Sequence, residues 1–131
     1  MEIGRRLLVE IKSFEDLEVW KIAKELVLKI YTVTSSFPKE EIYGITSQMK
    51  RAALSVSANI AEGFGRYHYL DKAKFYLNSR GSLFEVKSFV LIAIDLNFID
   101  PDKGKELIAD IDQLGIKLNN LVNVTKKRAS T

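Results

Sequence analysis

Read at about 100° per residue, the stretch 44–66 places Ile45, Met49, Ala52, Val56, Ile60 and Gly63 on one side of a helix. Ala53, Ser57, Ala61 and Phe64 widen that side into a small-residue face. Small residues admit a neighbouring backbone closely, so this helix is predicted to sit deep among its partners. Asn59 falls at the edge of the face, where a buried amide must find hydrogen-bond partners. Leu54 and Ala58 point away from it, which predicts a second apolar surface in need of cover.

The same periodicity organises the rest of the chain. Ser13-Phe14-Glu15-Asp16 has the Ser-x-x-acid layout of a helix start. From there to Thr34, Val19, Ala23, Leu26 and Ile30 form an apolar stripe flanked by Trp20, Val27 and Tyr31. Ser35-Ser36-Phe37-Pro38 stops that helix, because the residue before proline disfavours helical backbone. A third helix is predicted over 70–96, about 40 Å long. Its second half is apolar nearly all round (Leu83, Phe84, Val86, Phe89, Val90, Leu91, Ile92, Ile94), more than one bundle covers, which asks for a partner subunit. Gly81 costs that helix about 1 kcal/mol against alanine and reads as a close helix contact. Asp100-Pro101 supplies an N-cap and a first-turn proline. Leu107, Ile111, Leu114, Leu118 and Leu121 then repeat at alternating spacings of about four and three, the seam of a nearly parallel packing. Acids at the start of this helix and Lys126, Lys127 and Arg128 at its end complement the dipole.

Four helices with short connections predict an all-α, antiparallel up-down-up-down four-helix bundle over 13–128. An N-terminal arm of residues 1–12 precedes it and a short tail, 129–131, follows. Val9 and Ile11 alternate with Glu10 and Lys12, which fits an extended arm pairing with a neighbouring subunit, although Leu7 and Leu8 also suit a short helix.

Composition narrows the chemistry. The 131 residues make one domain, 47% hydrophobic and 28% charged, as in an ordinary globular chain. There is no cysteine and one histidine, His68, so thiolate sites and multi-histidine metal centres are excluded. The apolar run Phe89–Ile94 is far shorter than the ~20 residues a membrane helix needs. No signal-peptide layout opens the chain, so the expectation is a cytoplasmic protein without a membrane. Net charge is a mild +3, yet 50–80 alone holds six cations against Glu62 and Asp71, a net +4.

Candidate catalytic chemistry is sparse. Gly63-Phe64-Gly65-Arg66 lacks both the spacing of a phosphate loop and a preceding strand. No nucleophile-elbow pattern surrounds a serine, and no Glu-x-x-His pair suggests a di-metal bundle site. The reading is therefore no catalytic residue, no cofactor and no metal. Glu85 lies between Leu83, Val86 and Phe89, where burial is expected, and a buried carboxylate needs a cation or donors. Arg51, Asn59, Glu62, Arg80 and Glu85 are accordingly expected to form a buried polar network fixing helix register or a subunit contact. Lys50, Arg66, Lys72 and Lys74 interleave with Phe64, Tyr67, Tyr69, Phe75 and Tyr76. Cations for phosphates and aromatics for bases compose a non-specific nucleic-acid surface. Core aromatics beside a solvated charged face produce the same letters.

The motifs Asp16-Leu17-Glu18-Val19-Trp20, Ser47-Gln48-Met49-Lys50-Arg51-Ala52-Ala53, Ala58-Asn59-Ile60-Ala61-Glu62-Gly63 and Gly81-Ser82-Leu83-x-Glu85 occur in that order. Together they resemble the bacterial four-helix-bundle family called rRNA intervening-sequence proteins, over most of the chain from Phe14. The resemblance implies a homo-oligomer. A related branch, the accessory protein of diversity-generating retroelements, is a five-fold ring that binds nucleic acid and a reverse transcriptase, so a pentamer is the expected assembly. Family members often carry proline where this chain has Ser57, so a straighter helix is expected here. The combined reading is a non-catalytic, self-associating binding or scaffold module. Leu54, Ala58 and Leu91 are its expected oligomer contacts, and RNA or DNA is the expected partner along the basic strip. The alternative is a scaffold docking a protein partner through its apolar surface, without nucleic acid.

Overall fold

The computed structural model describes residues 10–131, so most of the proposed N-terminal arm lies outside the described residues. Four long helices account for nearly all of them: α1 (Glu18–Thr34), α2 (Ile45–Gly65), α3 (Tyr69–Asp95) and α4 (Pro101–Ala129). Each packs on the next and α4 returns to α1, while the backbones of the diagonal pairs stay apart. That is the antiparallel up-down-up-down bundle.

Ser13 does not start α1. It caps a separate 3-10 turn, Phe14–Asp16, in a reciprocal capping box. The Asp16 carboxylate accepts from the backbone N–H of Lys12 at 2.9 Å and of Ser13 at 3.1 Å. Those donors favour its charged form and hold its pKa below the usual value. Leu17 is extended, and α1 begins after it. The α3–α4 turn rests on Asn97, whose φ of 62° is the left-handed conformation that asparagine tolerates. It lets the N–H groups of Phe98 and Ile99 both reach the carbonyl of Ala93.

The core follows the apolar stripes. Ala23, Leu26 and Ile30 meet Met49, Ala52, Ala53, Val56 and Ile60, with Val86, Val90, Leu114 and Leu118 opposite. α2 and α3 have the most extensive contact, and small polar residues line it. The Ser79 hydroxyl donates to the Val56 carbonyl at 2.7 Å, and the Ser82 hydroxyl donates to the Ser55 hydroxyl oxygen at 2.9 Å. Gly63 is required here, because an added Cβ would stand 2.8 Å from the ring of Tyr76. Ser57 leaves α2 unbroken and turns its hydroxyl to the Leu54 carbonyl.

Two expectations are corrected. Gly81 is not a close contact within the chain, since nothing lies within 4 Å of where its Cβ would stand. Glu85 is not buried. Its side chain is 46% exposed, because the inward face of α3 runs through Ser79, Ser82, Leu83, Val86, Val90 and Ala93 and Glu85 lies outside that arc.

Candidate nucleic-acid interface

The cations of the predicted strip divide by helix geometry. Lys50 lies near the start of α2 and Arg66 just past its end, about 24 Å away along the axis at 1.5 Å per residue. Lys50 turns toward α1, its ammonium 4.7 Å from the centre of the Tyr31 ring. Arg66, Lys72 and Lys74 stay together at the α2–α3 connection. Arg66 lies 4.4 Å over the Phe75 ring and 3.4 Å from the Glu62 carboxylate. Lys72 donates to the Phe64 carbonyl at 2.6 Å, satisfying one of the carbonyls a helix end leaves open. Lys74 is exposed and has no ion-pair partner among the described residues. Lys50 therefore belongs to another part of the surface, and the strip is a pole.

The expected buried polar network is likewise dispersed. Arg51 pairs with Glu85 across α2 and α3 at 2.8 Å, both half-exposed. Glu62 faces Arg66, Arg80 donates to the Asn119 side chain at 2.8 Å, and the Asn59 amide donates to the Ser55 carbonyl at 2.8 Å. These are separate surface or half-buried pairs, each worth about 0–1 kcal/mol where exposed ions meet. Of the expected oligomer contacts, Leu54, Ala58 and Leu91 are all exposed. Phe84, Ile92 and Leu96 add to Leu91 on α3, and Phe84 is 64% exposed. By helical spacing Phe84, Ser88, Leu91, Ile92 and Asp95 share the outward side of α3.

The pole has a further contributor that the strip did not include. The C-terminal turns of α4 come to the α2–α3 connection, where Arg128 and Lys72 line one cleft. Lys126 and Lys127 stand exposed on the same turns. In the sequence these three cations complemented a helix dipole, and nothing local announced that α4 ends where α2 turns into α3. Tyr67, 90% exposed, meets the single histidine edge-on at 5.0 Å between ring centres. Between α4, the start of α3 and the segment before α1 lies a cleft of about 270 Å³. Phe64, Tyr69 and Tyr76 line it, with Lys72, Thr125 and Arg128. Burial pushes the Tyr76 hydroxyl up to about 12, so it is neutral at physiological pH.

Among the described residues no three His, Cys, Asp or Glu side chains converge as metal ligands, and no helix is long and apolar enough to cross a membrane.

A family model described as 23S rRNA-intervening sequence protein matches residues 15–120. The fold is similar to the crystal structure of a protein of unknown function from the S23 ribosomal protein family of Bacteroides thetaiotaomicron VPI-5482. The TM-score is 0.74 at 15% identity, over 79% of this chain and 97% of that one. At that identity the likeness concerns the fold. No curated protein matches the chain.

Proposed function

We infer the function from a premise and one observation: the chain belongs to the 23S rRNA-intervening sequence protein family, and one pole of its bundle gathers cations and aromatic rings from separated segments. The reading is a binding module without catalysis that self-associates and holds nucleic acid at that pole. Arg66, Lys72, Lys74, Lys126, Lys127 and Arg128 offer charge to phosphates, and exposed Tyr67 and Tyr69 offer faces to bases. The outward stripe of α3 supports self-association, because Phe84, Leu91, Ile92 and Leu96 leave apolar surface that a second copy would cover. In a ring each copy repeats the pole, and multivalency raises the avidity of a weak single patch. The family resemblance favours five copies.

The test pairs light scattering with fluorescence anisotropy on mixed-sequence single-stranded RNA and DNA. Mass should be a multiple of the chain, and Leu91→Asp should reduce it. Binding should fall steeply with salt and show little base preference. Replacing Lys74, Lys126 and Lys127 together by glutamine should lower the log–log salt slope by about 2, at about 0.7 per lost single-strand phosphate contact, with assembly intact. If the triple variant binds as the parent does, the pole is a solvated face. A protein-interaction scaffold, docking its partner on the α3 stripe, then takes its place.

A further inference from the structure

We propose that the cleft at this pole is a site for one unstacked nucleotide, its base against the open Tyr69 ring and its phosphate on Lys72 and Arg128. The inference rests on the nucleic-acid reading and adds to it a defined pocket and ligand class.

Four observations converge. The cleft holds about 270 Å³, just below the ~300–1,000 Å³ of drug-sized pockets, which suits a single base. Tyr69, 42% exposed, is the ring open to a base, while Tyr76 is buried at the back. The Lys72 ammonium lies 5.3 Å from the centre of the Phe64 ring, and aliphatic Ile11, Leu17, Leu121 and Val124 complete the walls. Bases stack on aromatic rings without regard to sequence. Its two charged side chains, Lys72 and Arg128, are both cations, and no carboxylate lines it among the described residues. An ammonium has three donors, and the Phe64 carbonyl takes one from Lys72, leaving two for a phosphate. Finally, the remaining polar groups are hydroxyls. The Thr125 hydroxyl, largely buried at the cleft wall, donates to the Leu121 carbonyl at 2.7 Å. A purely apolar occupant would leave both cations facing a desolvating surface, and an acidic peptide would make little use of the open Tyr69 ring.

The nucleotide can come from an RNA strand or from solution, and the experiment separates the two. Calorimetry on the full-length chain uses adenosine 5′-monophosphate, adenosine and inorganic phosphate, and anisotropy follows a single-stranded oligoribonucleotide. The monophosphate should bind more tightly than either fragment and compete with the oligonucleotide. Tyr69→Ala should weaken monophosphate binding at least about fivefold, the low end for loss of one base stack. Tyr69→Phe should restore it, and Arg128→Gln should weaken the monophosphate while leaving adenosine unchanged. Tyr69 and Arg128 are exposed, and helix content measured by circular dichroism confirms that each variant folds.

Monophosphate binding unchanged in both variants would overturn the site. So would oligonucleotide binding by the parent and both variants alike with no monophosphate bound, a result that leaves the nucleic-acid reading standing. A parent that binds the monophosphate in this cleft but no oligonucleotide keeps the site and overturns that reading.

Discussion

Gly81 stands in the middle of α3, exposed, with open space where a Cβ would be. Replacing it by alanine therefore adds no clash within the chain. It removes the backbone freedom that glycine gives the unfolded state, worth about 0.8–1.0 kcal/mol in a helix interior. For 131 residues the unfolding entropy near 60 °C is about 0.28 kcal/mol/K, so this gain corresponds to a rise in Tm of roughly 3–4 °C. The assays are thermal and urea unfolding followed by circular dichroism over a range of protein concentrations. At the dilute end, where the single chain unfolds, the midpoint should rise with unchanged slope. A lower midpoint there would refute the reasoning, because it would mean that the methyl meets something the fold places against it. At the concentrated end a second effect enters. Gly81 shares the outward side of α3 with Phe84, Ser88 and Ile92 by helical spacing. If a second copy seats on that side, the methyl should weaken association while stabilising the chain. Association unchanged by Gly81→Ala would place the contact elsewhere on the surface.

The raised pKa of Tyr76 has a direct consequence. Its proton is held more tightly in the folded chain, so this contribution to stability is complete below about 10 and is lost as pH rises toward about 12. Tyr76→Phe should flatten the fall of the urea midpoint across that window, and an unchanged slope would show that the hydroxyl is not the group responsible. At Gly104 the outcome is opposite to that at Gly81, because an added Cβ would overlap the end of the Ile94 side chain. Gly104→Ala should destabilise by about 1 kcal/mol, overpacking exceeding the helix-propensity gain. Ile94→Val removes only one of the two overlapping atoms, whereas Ile94→Ala removes both, so the added methyl at Gly104 should cost less in the Ile94→Ala background than in the parent.

The bundle was legible because three of its helices carry a clear one-sided stripe. In α4 the seam of Leu107, Ile111, Leu114 and Leu118 is the buried one, while Leu121, expected to continue it, is half-buried and Val122 takes the inward place. The second half of α3 was harder, and Glu85 shows why. When Phe84, Leu91 and Ile92 are as apolar as Val86 and Val90, periodicity does not say which side is inside, so a carboxylate among them looks buried. Contact with α2 and α4 decides it, and those contacts are long-range. Composition groups Lys50 with Arg66, although the helix read over 44–66 already sets them at its two ends; Arg66, Lys72 and Lys74 remain together at the α2–α3 connection. The cleft was illegible because Phe64, Tyr69 and Arg128 are scattered in sequence and meet only when α4 runs back to the α2–α3 turn. The sequence shows the α3 stripe only as an apolar excess; that Phe84, Leu91, Ile92 and Leu96 are the outward residues follows from the packing of α3 on α2 and α4.

Lysine ordinarily brings four freely rotating bonds to whatever it binds, and a ligand must freeze them. At the end of α2 the chain has frozen them already. The carbonyl that holds the Lys72 ammonium at 2.6 Å is part of the helix terminus, so the side chain is ordered during folding. Association with an anion at this pole is thereby spared about 0.5–1.5 kcal/mol of rotamer entropy. The same bond joins two properties that are usually separable. Acetylation of Lys72 would remove the charge offered outward and, at once, the charged donor that closes α2, so the pole could not be silenced there without loosening the turn that builds it.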